Sequence, residues 1–225
     1  MNEIIKQIST KSKEQILNAL PKLELESIET IDPSVHILQS DNMLNELIAK
    51  MNENKYITHL CEKDKVVDKI NEITAKYNAQ KMLYPPNISS FGGFSDDMVN
   101  KINATQKVCF DKDIEQMRDI VFHSDFSVIN AAFGVSSHGV LCIHSDIGAR
   151  MLSLAVPLCI ILLNKDEITK SLTTGLERLS KQYKAKGEKL PTNIIYLAGP
   201  SRTADIELIT VFGVHGSQNV EVIIY

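Results

Sequence analysis

The stretch Leu158-Cys159-Ile160-Ile161-Leu162-Leu163 decides the fold class. Six consecutive apolar residues without alternation mark a strand covered on both faces, and such strands belong to the centre of a parallel sheet. After it, Ile168, Leu172, Leu176, Leu179 and Tyr183 recur at helical spacing and predict a long amphipathic helix. Before it the same alternation repeats. Met43, Leu44, Leu47, Ile48 and Met51 form a helical stripe, followed by a short strand over Tyr56 to Cys61. Val66, Val67, Ile70, Ile73 and Tyr77 predict a helix, and Lys81 to Tyr84 a strand. Pro85-Pro86 opens a loop through Phe94 that carries Gly92-Gly93. Ser95 or Asp96 caps a helix through Ile102, and Lys107 to Phe110 is a strand. Ile114, Met117 and Val121 mark a further helix; Phe126 to Val135 and Gly139 to His144 are two strands around a Gly/Ser turn. Residues 193–198 and 220–225 supply the last two strands. Helices alternating with short apolar strands predict an α/β protein of three layers, a mostly parallel sheet with helices on both faces.

No Gly-, Pro- or Ser-rich linker divides the 225 residues, so residues 12–225 are expected to form a single α/β domain behind an extension over 1–11. Ser12-Lys13-Glu14-Gln15 is a capping-box pattern, with Ile16, Leu17 and Leu20 as the apolar face before Pro21. A net charge of −4 gives no electrostatic footprint for nucleic acid. The apolar run Met151 to Leu163 is too short for a membrane span and contains Pro157. The start of the chain lacks a secretory h-region, so a cytoplasmic location is expected. Cys61, Cys109, Cys142 and Cys159 show no CxxC or other cluster spacing, which fits small buried hydrophobes. Cys142 and His144 share a strand face, but a metal site there needs further ligands recruited from His138, Asp146 or His215, and none is assigned.

The chemistry concentrates in Gly199 to Gly216, GPSRTADIELITVFGVHG, directly after the apolar run Asn193 to Ala198. A turn at Gly199-Pro200, with Ser201 or Thr203 as N-cap, predicts a strand–turn–helix junction. Its unpaired N–H groups suit an anion. Arg202 there faces the positive end of the predicted helix dipole and needs a negative partner: Asp205, Glu207 or a bound ligand. His215 either faces the same cleft or bonds to backbone. A second Gly/Ser turn, Phe133 to Gly139, brings backbone close to a ligand through Ser137, His138 and Gly139. Ser137 and His138 are adjacent, and neighbours rarely face each other as nucleophile and base, so no catalytic residue is assigned. Arg150 either adds a second positive charge near Arg202 or pairs with Asp146.

GPSRTADIE followed across a fixed gap by GVHG resembles the lactate-utilization protein C family, also called the LUD domain. The likeness extends more loosely back to about Ser12. It implies the fold shared by glucosamine-phosphate deaminases, ribose-phosphate isomerases and CoA transferases. In such sheets ligands sit outside the carboxyl ends of strands, and Gly199 to Asp205 is expected at such an end. The resemblance further implies an accessory, non-catalytic subunit of an iron–sulfur lactate oxidation complex. It carries no cofactor itself; the clusters are expected on partner subunits. Where the family has a Glu-Thr-Gly-Thr turn, this chain has Ser137-His138-Gly139-Val140. The glutamate that serves as nucleophile in the related CoA transferases is therefore missing, and acyl-CoA chemistry through it is not expected. The competing expectation, from fold analogy, is a free-standing enzyme or binding protein for a phosphorylated or CoA-linked small molecule.

Overall fold

The computed structural model describes residues 12–15, 18–19, 42–90, 95–148, 150–204, 210–213 and 215–225. The chain divides into two units, Met1–His36 and Ile37–Tyr225. In the first, residues 12–15 and 18–19 are helical and exposed.

In the second unit, helix α1 (Met43–Glu53) starts at Asn42, whose side chain accepts from Asn45 N–H at 3.0 Å, and leads into strand β1 (Ile57–Leu60). Helix α2 (Val66–Lys76), strand β2 (Lys81–Tyr84), helix α3 (Asp96–Lys101), strand β3 (Gln106–Cys109), helix α4 (Ile114–Phe122) and strand β4 (Phe126–Asn130) follow. Strands β5 (Phe133–Val135) and β6 (Val140–His144) form a hairpin before helix α5 (Met151–Leu154) and strand β7 (Leu158–Leu163). Strand β8 (Ile168–Thr169), helix α6 (Leu172–Lys186) and strands β9 (Ile194–Leu197), β10 (Arg202–Ala204), β11 (Thr210–Phe212) and β12 (Asn219–Ile224) complete it.

Six strands form an all-parallel sheet in the order β1-β12-β7-β4-β2-β3. Leu158 to Leu163 is buried throughout and lies between β12 and β4 inside the sheet, as its uninterrupted apolar run requires. Side chains alternate between two cores. Cys159, Ile161 and Leu163 meet Leu47 and Met51 of α1, Met117 and Val121 of α4 and Leu152 of α5. Leu158, Ile160 and Leu162 meet Val66, Ile70 and Ile73 of α2 and Val99 of α3. Helices thus cover both faces of a mostly parallel sheet.

Three expectations need correction. The strand read over Phe126 to Val135 is two strands in two sheets: Ala131 N–H donates to Leu162 O, while Ala132 N–H donates to Cys142 O. Strands β8-β5-β6-β9 form a separate four-stranded sheet, so the segment 193–198 is an antiparallel edge strand there rather than part of the parallel sheet. The helix read from Ile168 starts only at Leu172. Ile168 and Thr169 pair with Gly134 and Val135, and the Ser171 hydroxyl caps the helix by accepting from Thr174 N–H at 3.1 Å. One face of this second sheet adds Leu141 and Ile143 to the first core; the other face packs on Leu179 and Tyr183 of α6. The absence of a Cβ at Gly175 lets the Phe133 ring press against that helix. Among the described residues no helix is long and apolar enough to cross a membrane.

Candidate functional site

The two motifs of the last third are locked to each other through Ser201. Its N–H donates to Ser217 O at 3.0 Å, its carbonyl accepts from Gly213 N–H at 3.0 Å, and its hydroxyl accepts from His215 N–H at 3.2 Å. A Cβ at Gly216 would press on the Ser201 side chain at 3.1 Å, so the two segments approach closely here. Ser217 is tied in turn to Ser153 O, at 3.0 Å.

This clasp replaces the predicted strand–turn–helix junction. Arg202–Ala204 is a strand paired antiparallel with Thr210–Phe212, so neither Ser201 nor Thr203 caps a helix. The stack of unpaired helical N–H groups is therefore not present at this turn. Asp205 and Glu207 lie outside the described residues, as does the Gly92-Gly93 loop. Arg202 is exposed and donates from one guanidinium nitrogen to Ala198 O at 3.0 Å. Across the ribbon it is paired with Phe212, which is 40% exposed.

The second glycine turn joins the first. Strand β6 pairs with β9 so that Leu141 faces Leu197, and continuing the register brings Gly139 opposite Gly199. Both glycines have positive φ, +61° and +94°, and both lie against the end of α1. A Cβ at Gly139 would strike the Lys50 backbone; one at Gly199 would strike the Asn54 carbonyl oxygen. The Asn54 side chain donates to His138 O at 2.8 Å and to Gly139 O at 3.0 Å. Tyr56, two residues on, donates its hydroxyl to Leu197 O at 2.6 Å. Burial holds that phenol well above its ordinary range, so it remains a donor. Contrary to the expectation for adjacent residues, Ser137 Oγ lies 2.6 Å from His138 Nδ1, with His138 exposed.

The expectation that the Gly199 segment lies at a carboxyl end of the parallel sheet also fails. Residues 216–218 precede β12, and a cavity of about 460 Å³ opens beside them at the amino edge of the sheet. His215 and Gly216 border this cavity, and Phe122, Met151, Leu154 and Pro157 line its apolar side. A second cleft, about 620 Å³, lies at the carboxyl ends of β2 and β3. Its charged lining is Asp111, Asp113 and Asp146 against Lys112. Three carboxylates against one ammonium repel an anion, whereas the amino-edge cavity is bordered by His215 and carries no carboxylate among its described lining residues. Arg150 begins α5 with its side chain exposed. The Asp146 carboxylate accepts from Tyr183 at 2.7 Å and Ser145 at 3.1 Å, and among the described residues Arg150 makes no ion pair with it.

One cluster escaped the sequence reading. Glu221, in β12, is 0% exposed and accepts from Tyr77 hydroxyl at 2.8 Å and Lys76 Nζ at 3.1 Å, with His59 Nε2 at 2.5 Å. The visible signal was a lone carboxylate inside the apolar run Val220 to Ile224. All four cysteines are free thiols on separate strands or strand ends. Burial pushes Cys142 and Cys159 up to about 12, so neither offers a ready thiolate. Among the described residues no group of three His, Cys, Asp or Glu side chains is arranged for a metal, and the dispersed thiols do not fit an iron–sulfur cluster.

The parallel sheet, its mixed four-stranded companion and the clasped ribbon define a layered α/β protein. The chain belongs to the LUD domain family, whose model matches residues 44–225. It is 39% identical over 90 residues to the uncharacterized protein YkgG of Escherichia coli (strain K12), a match spanning 40% of this chain and 38% of that one. It is 24% identical over 189 residues to lactate utilization protein C 1 of Bacillus mycoides (strain KBAB4), 76% of each chain. A crystal structure of a DUF162 family protein from Deinococcus radiodurans superposes with a TM-score of 0.58 at 16% identity. That likeness, covering 83% of this chain and 98% of the other, is one of fold.

Proposed function

We propose that this chain serves lactate utilization as an accessory subunit in the cytoplasm, beside partner subunits that carry iron–sulfur clusters, and holds a small carboxylate at the Ser201 clasp. Several relatives are named lactate utilization protein C, which supports the pathway. The observation that carries the site is the clasp itself. Ser201 bonds to Gly213, His215 and Ser217, so two segments separated in sequence form one place with Arg202 and His215 exposed on its flanks. A guanidinium and an imidazole suit a carboxylate, and among the described residues the Arg202 guanidinium bonds only to Ala198 O. The Ser137-His138-Gly139 turn borders the same place through Asn54.

The test is genetic. Deleting the gene should abolish growth on lactate while growth on an unrelated carbon source continues. Complementation by the intact chain should restore it, and by Arg202→Ala restore it only in part. Normal growth of the deletion strain on lactate would defeat the assignment.

A further inference from the structure

We infer that Tyr56, buried between α1 and β1, is a positioning residue for Arg202: its hydroxyl fixes the strand end to which the guanidinium is bonded. The inference deepens the reading of the Ser201 clasp as a carboxylate site and rests on it for the ligand, but not for the positioning itself. Arg202 is exposed, and among the described residues its guanidinium bonds only to Ala198 O, at 3.0 Å. A long, flexible side chain has many rotamers, and a bond at its tip selects among them. The placement of the Ala198 carbonyl therefore sets where the positive charge stands.

Ala198 is confined on both sides by residues that follow α1. On its amino side, Leu197 O accepts from the Tyr56 hydroxyl at 2.6 Å. On its carboxyl side, Gly199 turns at φ +94° with the Asn54 carbonyl oxygen standing where a Cβ would be. That turn is what lets the Arg202 side chain reach back to the carbonyl four residues before it. Tyr56 is 3% exposed and belongs to the first core, so close packing leaves its ring one place to stand. The carbonyl it holds is fixed with it. Burial raises the pKa of the phenol and the Arg202 charge acts on it in the opposite direction, so the two groups lie within electrostatic reach of each other.

Nuclear magnetic relaxation of the Arg202 Nε–H group in the nitrogen-labelled full chain tests this without a ligand. Tyr56→Phe keeps the ring in the core and deletes only the bond to Leu197 O, and it should raise the mobility of Arg202. Tyr77→Phe deletes a hydroxyl bonded to Glu221 at 2.8 Å and stands for a general loss of stability; it should leave Arg202 unchanged. Titration calorimetry with L-lactate then closes a double-mutant cycle. Tyr56→Phe should weaken Kd about fivefold, the worth of one hydrogen bond. In an Arg202→Ala background it should add nothing, because it acts through that side chain. Unchanged Arg202 relaxation in Tyr56→Phe, an equal gain of mobility in both phenylalanine variants, or a loss of affinity that persists in Arg202→Ala overturns the positioning. Arg202 loosened by Tyr56→Phe, in a wild-type chain that binds no lactate, upholds the positioning and removes the carboxylate reading.

Discussion

Glu221→Gln removes one negative charge from the middle of β12 and keeps the shape of the side chain. The wild-type carboxylate is fully buried and is approached by His59 at 2.5 Å, Tyr77 at 2.8 Å and Lys76 at 3.1 Å. The Lys76 side chain is 55% exposed, so its share is screened to about 0.5 kcal/mol. His59 is 21% exposed and Tyr77 is half-buried; a hydrogen bond to a charged acceptor contributes about 1.5–3 kcal/mol for each. The amide keeps one acceptor oxygen and turns an NH2 group toward the remaining donors. Removing one partner of a fully buried ion pair costs about 3–5 kcal/mol. Here the positive partners reach water and the amide escapes the desolvation cost of a carboxylate, so the expected loss is smaller, about 2 kcal/mol. Urea unfolding followed by circular dichroism at pH 7.5 reads this as a midpoint lower by about 1 M, for a slope of about 2 kcal/mol per M. Lys76→Ala should cost less than about 1 kcal/mol in the same assay. A glutamine variant as stable as the wild type, or a lysine variant as damaged as the glutamine one, would refute this account of the cluster.

Three further outcomes follow from the geometry. Gly199→Ala, at φ +94° against the Asn54 carbonyl, should cost more than about 2 kcal/mol, whereas Gly187→Ala, at φ +70° in open space, should cost about 1 kcal/mol; thermal melting compares them directly. Burial lowers the folded-state pKa of His144, so its neutral form favours folding above the unfolded value near 6.5 and that stability is lost as pH falls through the lower folded value. His144→Phe should therefore flatten the acid limb of a midpoint-against-pH curve relative to wild type, while preserving the contact with Tyr183. Maleimide labelling of the native protein at pH 8, read by mass spectrometry, should modify half-buried Cys61 and Cys109 slowly and leave Cys142 and Cys159 untouched until urea is added.

The parallel sheet was legible because its strands carry their burial in their composition. Lys81 to Tyr84 and Leu158 to Leu163 are strands with the predicted ends, and α1 and α2 follow the apolar spacing of Leu47, Met51, Ile70 and Ile73. The second sheet was not legible. Val140 to His144 is buried on every residue because it lies between the first core and α6, so it has the same continuous pattern as a parallel strand. Period alone does not distinguish the two. The site was half legible. Gly139 marked a close backbone approach and Gly199 a turn, and the structure places the first against Lys50 and the second against Asn54; the approach of Gly216 to Ser201 carried no such signal. The helix after Pro200 was wrong because a capping signature is local, while Arg202 to Ala204 is held by pairing with residues 210–212. Asn54 and Tyr56 carry no motif; their roles arise from where α1 ends.

Asn54 and Tyr56 give that short connection a mechanical role. Within three residues the link from α1 to β1 grips the small sheet's edge twice, by an amide on the β5–β6 turn and a phenol on the last carbonyl of β9. Sliding one sheet over the other breaks those grips together. A ligand that braces the ribbon would thus resist shear between the layers, and loosening the layers would weaken its hold by the same amount.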